Sequence, residues 1–288
     1  MSERNSKHGR GVNWLALVIG NTRLHWGYFY RDRLLETWHT PHLTLATIRQ
    51  LQRTNFKAKT WQSIATKNKI GFPSAKVSSS EIWIASAVPA QMALWRAPEI
   101  SESMSVHQIE RSHIPLANIY ETLGIDRAVN LLGAGQLSGW PVVVIDGGTA
   151  LTFTAGAICQ GNPGVYGGAI LPGLRLQHES LAQKTAALGE HMPSESSSNS
   201  PLPARWAVDT EGAIASGLAY SITATLVDYL TDWWQKFANG KAIITGGDAP
   251  LLHRYLQQRT PEVASRVLMN QELMFYGMQR YRRELMLF

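Results

Sequence analysis

The sequence has little cysteine, little charge and no long apolar run. Cys159 is the single cysteine among 288 residues. No intrachain disulfide can therefore form, which excludes a disulfide-stapled secreted scaffold and fits a reducing compartment. The longest apolar runs, 14–20 and 141–145, fall well short of the ~20 residues that span a bilayer, and residues 1–11 lack the apolar stretch of a signal peptide. We therefore expect a cytoplasmic protein without a membrane segment.

Features of nucleic-acid-binding proteins and of two common nucleotide folds are also missing. The net charge is +6, yet no dense Lys/Arg stretch, Cys/His ligand pattern or basic heptad is present. We expect no nucleic-acid partner. A P-loop string is absent, and the Gly-rich segment 133–139 follows a helical pattern and precedes a strand, the reverse of a dinucleotide fingerprint.

Two strand–turn–strand patterns give the chain its organisation. The first covers residues 15–30 and the second covers residues 141–158, each with a glycine-containing turn after a buried apolar run. Further strands are predicted at 82–87 and 242–245, and helices at 43–53, 126–137, 174–188, 213–237 and 250–258. Strands interleaved with helices, in a unit that occurs twice, predict an α/β protein of two similar domains facing each other across a cleft.

The same patterns predict the limits of the domains. We expect a disordered N-terminal tail over residues 1–12, a first domain over 13–118, a second over 119–270 and a C-terminal helix over 271–288. The Ser- and Pro-rich segment 192–203 cannot bury enough apolar surface to order itself, which predicts a mobile surface loop.

The turn after the second apolar run, Asp146-Gly147-Gly148-Thr149, has the residues of a phosphate site. Glycines let backbone N–H groups approach a phosphate closely, and the threonine hydroxyl adds a donor. A carboxylate at the strand end suits a nucleoside triphosphate with Mg²⁺, because that metal takes most of its oxygens from phosphate and water. A plain hairpin turn is the simpler interpretation of one such turn, but its occurrence twice favours phosphate binding.

A second polar cluster, Gly124-Ile125-Asp126-Arg127, begins a helical pattern. An aspartate at this place is commonly a helix cap. It is also a carboxylate that could accept a hydroxyl proton, beside a guanidinium that could hold an anionic group. Both interpretations remain open from the residues alone.

Seven short strings, in order along nearly the whole chain, make the sequence resemble the type III pantothenate kinase family. They are Gly20–Thr22, Gly124–Arg127, Asp146–Thr152, Gly167–Gly173, Lys184–Leu188, Asp209–Gly217 and Thr245–Ala249. The resemblance implies duplicated ribonuclease-H-like domains of the acetate and sugar kinase, heat-shock protein and actin superfamily. It also implies ATP-dependent phosphorylation of pantothenate to 4'-phosphopantothenate, in a homodimer that needs Mg²⁺ and a monovalent cation, K⁺ or NH₄⁺.

The resemblance further implies a role for each matching residue. Asp126 would be the general base, Asp146 the monovalent-cation ligand, and Gly246 and Gly247 would lie against adenosine. Pantothenate would contact Tyr120, Gly124, Ile125, Asp126, Arg127 and Thr210. ATP would contact Val18, Ile19, Gly20, Asn21, Thr22, Arg23, Leu24, His25 and Thr149.

Four positions depart from the family pattern, one of them Gly189, which replaces a proline common after the Lys184–Leu188 string. Val18 stands where the first phosphate loop has an aspartate, Thr154 stands where many members have a second one, and the substrate tyrosine falls by counting on Ala117, with Tyr120 the nearest aromatic residue. Two hypotheses follow: an active pantothenate kinase, or a non-catalytic relative that binds nucleotide or pantothenate in a regulatory role. Retention of the other site residues favours the enzyme.

Overall fold

The computed structural model describes residues 13–68, 73, 77, 79, 81–184 and 200–286. Its strands are β1 (Asn13–Ile19), β2 (Leu24–Tyr30), β3 (Arg33–Thr40), β4 (Glu81–Ser86), β5 (Ser105–Gln108), β6 (Val142–Gly147), β7 (Ala150–Cys159), β8 (Asn162–Pro172), β9 (Lys241–Thr245) and β10 (Val267–Met269). Its α-helices are α1 (Leu45–Arg53), α2 (Ala58–Asn68), α3 (Pro89–Trp95), α4 (Pro98–Ser101), α5 (Ile125–Ser138), α6 (Leu174–Lys184), α7 (Thr210–Lys236), α8 (Ala249–Arg259), α9 (Pro261–Ala264) and α10 (Leu273–Leu285).

The strands form two five-stranded sheets of identical topology. The first has the order β3-β2-β1-β4-β5, and the second has the order β8-β7-β6-β9-β10. In both sheets the first three strands in the chain pair antiparallel, and the last two are added in parallel. This repeated mixed topology is that of duplicated ribonuclease-H-like domains, so the predicted fold class is confirmed.

The two predicted strand–turn–strand patterns are β1–β2 and β6–β7, and the predicted strands in each half are β4 and β9. The third strand of each half, β3 or β8, was not predicted. Both lie at a sheet edge, where burial alternates weakly, and β8 contains three glycines, which have low strand propensity. The Gly-Gly-Ala-Ile-Leu-Pro string of the resemblance therefore lies in a strand.

The five predicted internal helices correspond to α1, α5, α6, α7 and α8, and the predicted C-terminal helix contains α10. Helix α2, the short helices α3, α4 and α9, and the short strands β5 and β10 were not predicted. The tail 1–12, positions 185–188 of the predicted third helix and most of the predicted loop 192–203 lie outside the described residues.

The chain divides into two compact units. One contains residues 1–113, 124–126 and 281–288, and the other contains residues 114–123 and 127–280. Each unit has its own sheet. The predicted domain limits at 118 and 270 stay predictions.

Tryptophans dominate the core of the first unit. Trp26 lies edge-on to Trp61 and Trp95, with ring centroids 5.1 and 5.8 Å apart, and Trp38 lies edge-on to Trp61 at 5.3 Å. The indole N–H groups of Trp38, Trp61 and Trp95 have no hydrogen-bond partner within the described part of the chain. Edge-to-face packing places ring edges against π-faces, a favourable arrangement in a core that excludes water.

Helix α7 is long and apolar enough to cross a membrane by length and composition. In the structure its residues Ile222, Leu226, Leu230 and Trp233 are buried in the core beside the second sheet. Their spacing of three or four residues puts them on one helical face. Core helices of globular proteins can have the same length and apolar composition, and the packing of this face is that of a core helix.

Candidate functional site

The end of each central strand carries one candidate phosphate turn. In the second unit, Asp146 is in register with Thr152 on β7 and Thr245 on β9, so three polar side chains lie on one face of the sheet. The corresponding residues of the first unit are Val18, His25 and Ala85. Of the two equivalent positions, only the one in the second unit has a carboxylate.

Close backbone packing shapes the turn after Asp146. The Gly148 N–H donates to the Ala150 carbonyl at 3.1 Å, and the Gly173 N–H donates to the Thr149 carbonyl at 3.0 Å. A Cβ at Gly173 would lie 2.1 Å from the Gly148 oxygen, so only glycine fits between β8 and α6 at this point. Thr149 itself is exposed and is therefore accessible to a ligand.

Gly246 brings backbone against the Asp146 carboxylate. It adopts a φ of +91°, and a Cβ there would lie 2.3 Å from Asp146 Oδ1. The left-handed conformation and the close approach both require glycine. The next residue, Gly247, is exposed with open space around it, which leaves room for a ligand beside the strand end.

Asn130 on α5 holds the other oxygen of the same carboxylate. Its Nδ2 donates to Asp146 Oδ2 at 3.0 Å, and the residue is 1% exposed. Its Oδ1 is buried and has no hydrogen-bond partner among the residues described. No sequence motif points to Asn130, although it lies one helical turn after Asp126, a spacing that places two residues on one helix face.

Asp146 and Asn130 together fit a cation that is only partly held by protein. In the described ranges no three His, Cys, Asp or Glu side chains lie close enough to form a metal site. A hard cation there would meet one carboxylate and one buried amide oxygen that lacks a donor. Such a set suits a metal that draws its remaining oxygens from phosphate and water.

Arg127 forms the second polar centre of this unit. Its Nε donates to Thr154 Oγ1 at 2.9 Å, one terminal nitrogen donates to the Tyr120 hydroxyl at 3.1 Å, and the other donates to the Phe153 carbonyl at 2.9 Å. The residue is only 7% exposed. No carboxylate within the described residues forms an ion pair with it. A buried guanidinium held by neutral acceptors alone favours an anionic ligand.

The packing around Arg127 explains two departures from the family pattern. Thr154, where many members have an aspartate, accepts the Nε hydrogen bond without neutralising the charge. Ala117 is hydrogen-bonded to β8 through its backbone and packs against Gly164, whereas Tyr120 reaches Arg127 and is 43% exposed. The structure therefore brings Tyr120 rather than position 117 to the guanidinium.

Gly168 on β8 makes room for the same guanidinium. A Cβ at this position would lie 2.4 Å from a terminal nitrogen of Arg127 and 2.2 Å from the Phe153 carbonyl oxygen. The glycine of the Gly-Gly string is thus required by the close approach of an arginine, a cause that the sequence alone did not reveal.

The remaining predicted pantothenate residues lie at helix starts. Asp126 is in the first turn of α5, which begins at Ile125, and is half-buried; Gly124 directly precedes this helix. Thr210 is the exposed first residue of α7, where Asp209 caps the helix by accepting from the Gly212 N–H at 2.7 Å. No described side-chain hydrogen bond joins Thr210 to the Arg127 cluster.

The first candidate phosphate turn, which follows β1, is rich in nitrogen donors. The Gly20 N–H donates to the Arg23 carbonyl at 3.1 Å, and His42 Nε2 donates to the Gly20 carbonyl at 2.7 Å. His25 lies edge-on to His39 with ring centroids 4.6 Å apart. Burial lowers the pKa of His25 to about 4, with His39 and Arg23 adding to the effect, and burial with Arg23 also lowers the pKa of His39.

We expect His25 to make the protein sensitive to acid. An unfolded chain protonates histidine near pH 6.5, whereas folded His25 stays neutral until about pH 4. The unfolded state therefore binds more protons in this window, and stability falls as the pH is lowered from about 6.5 to about 4, by up to ~3 kcal/mol. Above pH 6.5 this group contributes no pH dependence.

The measurement is urea unfolding at pH 7.5 and pH 5 for the parent and for His25→Gln. The variant should lose less stability between the two pH values than the parent. His113→Gln, at an exposed position, is the control. Equal losses in the parent and His25→Gln would contradict the assignment.

Comparison with known proteins gives a consistent result along the chain. A family model described as type III pantothenate kinase matches residues 14–232. A curated type III pantothenate kinase from Nostoc sp. is 41% identical over 280 residues, covering 97% of both chains. One from Synechocystis sp. is 36% identical over 267 residues, covering 92% of this chain and 88% of its own length.

Solved structures with a similar chain path are more distant. Component A of (R)-2-hydroxyglutaryl-CoA dehydratase from Acidaminococcus fermentans is 11% identical, with a TM-score of 0.47, covering 95% of this chain and 99% of its own. A ROK hexokinase from Thermus thermophilus is 14% identical, with a TM-score of 0.44, covering 95% of this chain and all of its own.

Proposed function

The chain belongs to the type III pantothenate kinase family, and we propose that it transfers the γ-phosphoryl group of ATP to the hydroxyl of pantothenate, with Asp126 and Arg127 at the centre of the site. The product is 4'-phosphopantothenate, in the synthesis of coenzyme A. The observation that carries this assignment is the buried Arg127 guanidinium, which has only neutral partners and lies one residue after a carboxylate. The alternative of a non-catalytic relative is not favoured.

Pantothenate has the two groups that this pair recognises, a carboxylate and a primary hydroxyl. Arg127 has donors left after its three hydrogen bonds, because a guanidinium carries five N–H groups. It would hold the substrate carboxylate together with the Tyr120 hydroxyl. Asp126, which precedes it on the first turn of α5, would accept the proton that the substrate hydroxyl loses. Thr210 would add a further contact to pantothenate.

ATP would be held by the turns that follow β1 and β6. The segment from Val18 to His25 would contact the phosphates in the first unit, and Thr149 would contact them in the second. A divalent metal, which we propose is Mg²⁺, neutralises charge on the phosphates when it is bound with ATP. Asp146 would face a monovalent cation, K⁺ or NH₄⁺.

Val18 does not prevent this function in our proposal. Around the first turn no ion pair joins a described carboxylate to Arg23, His25 or His39. Arg23 is exposed and charged, and neutral His25 retains one N–H donor. These nitrogen donors would bind phosphate oxygens directly. They would thereby do part of what a metal held by a carboxylate would do at this turn, which is to hold the phosphates.

We also propose a cytoplasmic homodimer. Trp206 is 87% exposed and Val208 is fully exposed, and both lie within four residues of the start of α7. On α7 itself, Ala213, Gly217 and Ser221 form an exposed stripe of small residues at a spacing of four. Exposed apolar side chains beside a surface that permits close helix packing support association with a second copy. Thr210 lies at the start of the same surface.

The test is pantothenate-dependent release of ADP by the purified protein with ATP, Mg²⁺ and K⁺. We expect turnover with pantothenate and none with a hexose, since a hexose has no carboxylate for Arg127. Absence of turnover with pantothenate under these conditions, in a protein that still binds ATP, would overturn the proposed function and favour the non-catalytic relative.

A further inference from the structure

Asn130 is a buried polar residue that the predicted site does not use. It lies on α5, is 1% exposed and makes one side-chain hydrogen bond, from Nδ2 to Asp146 Oδ2 at 3.0 Å. An ionised carboxylate only accepts hydrogen bonds, so the amide nitrogen must be the atom that faces Asp146. This fixes the orientation of the amide and leaves Oδ1 as the atom without a donor.

An amide oxygen buried without a partner needs an explanation, because nearly all buried polar atoms in folded proteins are paired. The described residues around Asn130 supply no donor. Oδ1 is bonded to the same carbon as Nδ2, so it lies close to the Asp146 carboxylate. Two oxygens near each other, one charged and one without a donor, favour a cation or the water bound to it.

The opposite side of the carboxylate is also fixed. Gly246 approaches Asp146 Oδ1 so closely that a Cβ would lie 2.3 Å from it, and the strand register holds Thr152 and Thr245 beside Asp146. Asn130 contacts the other carboxylate oxygen from the helix side and so helps to set the rotation of the carboxylate. Partners of this kind orient a metal-binding carboxylate and change its affinity when they are removed.

We propose that Asn130 is a positioning residue for the cation site at Asp146: Nδ2 orients the carboxylate, and Oδ1 accepts the cation or a water molecule of its shell. This inference rests on the proposed function, in which Asp146 faces a monovalent cation. It also places a cation partner on the helix that carries Asp126 in its first turn, since Asn130 and Asp126 both belong to α5. Loss of Asn130 should weaken binding of the cation at Asp146 and leave binding of pantothenate unchanged, because the side chain of Asn130 is hydrogen-bonded to Asp146, which is not among the residues proposed to hold pantothenate.

The experiment measures cation dependence in two ways for the parent, Asn130→Ala and Asn130→Ser. The first readout is the K⁺ concentration that gives half-maximal ADP release, with KM for pantothenate measured beside it. The second needs no substrate: it is the rise in unfolding temperature when KCl replaces choline chloride at constant ionic strength, repeated with NH₄Cl and MgCl₂. Asn239→Ala, an exposed amide in the same unit, is the matched control.

We expect Asn130→Ala to raise the half-activating K⁺ concentration by ~10–100-fold and to reduce the cation-induced rise in unfolding temperature. KM for pantothenate should stay near the parent value. Asn130→Ser, which retains a small hydroxyl that can donate and accept, should lie between the two, and Asn239→Ala should match the parent. The serine variant also keeps the test possible if the alanine variant does not fold.

Unchanged cation dependence in Asn130→Ala and Asn130→Ser would overturn the proposal, and so would an equal rise in unfolding temperature in parent and variants. A variant that is only less stable, with the parent's cation response, would show a purely structural role. If the parent has no pantothenate turnover, the proposed function fails, but the substrate-free readout still decides the role of Asn130. The proposal is also overturned if none of the three cations raises the unfolding temperature of the parent protein.

Discussion

Asp126→Asn is expected to lower kcat for pantothenate phosphorylation by ~10²–10⁴-fold, the usual contribution of a general acid–base group. The amide has the shape of the carboxylate but cannot take the proton that the substrate hydroxyl loses. KM for pantothenate should change little, since in our proposal Arg127 holds the substrate carboxylate. The measurement is ADP release at saturating ATP and pantothenate, with KM taken from the same curves.

The fold should survive this change. Asp126 is half-buried in the first turn of α5, where a carboxylate stabilises the helix dipole by only about 0.3–1 kcal/mol. Glu262→Gln, which removes an exposed carboxylate in the first turn of α9, is a matched control that should retain the parent kcat. A parent-like kcat in Asp126→Asn would show that another group, or solvent, accepts the proton.

Much of the fold could be predicted because its central strands are short buried apolar runs. The runs before Gly20 and Gly147 predicted β1 and β6, and the turns after them predicted the hairpins. The edge strand β8 could not be predicted in the same way. Its glycines lower strand propensity, yet Gly168 is needed for the approach of Arg127 and Gly164 for that of Ala117. Contacts with residues distant in the sequence require glycine at these two positions, and no local sequence pattern indicates such contacts.

The candidate site was predictable only where a motif carries its chemistry in adjacent residues. Asp126 and Arg127 are neighbours, so their pairing could be seen in the sequence. Counting from this motif gave Ala117 for the substrate tyrosine, whereas the path of the chain brings Tyr120 to Arg127. Asn130 had no signal beyond its spacing from Asp126, because a buried amide on an apolar helix resembles an ordinary core residue. The roles of these residues stay predictions.

Val18 marks a chemical difference between the two candidate phosphate turns of the duplicated fold. The same position in the two sheets carries valine in one unit and Asp146 in the other. Val18 is 4% exposed beside His25, whose neutral form is favoured by burial. A carboxylate added at this position would be costly to bury, and it would favour protonation of the neighbouring His25. This explains how the first turn can favour neutral and cationic nitrogen groups while the second holds the carboxylate.

Arg127→Met is the second change for which we expect a large effect. Removing one partner of a buried charge pair costs about 2–5 kcal/mol in binding, so kcat/KM for pantothenate should fall ~30–4,000-fold, mostly through KM. Arg127→Lys keeps the charge but loses the planar fork that bonds Tyr120 and Thr154, and should lie between Met and the parent. The measurement is the pantothenate dependence of ADP release for all three proteins.

A substrate that lacks the carboxylate can show whether Arg127 binds the substrate or only supports the surrounding structure. Pantothenyl alcohol keeps the reacting hydroxyl but has no charge for Arg127 to hold, so the parent should use it poorly and Arg127→Met should use it nearly as well as the parent does. The comparison forms a cycle in which each change removes the same interaction. If Arg127→Met loses as much activity with the alcohol as with pantothenate, the guanidinium only supports Tyr120 and β8, and the anion it attracts is not the substrate carboxylate.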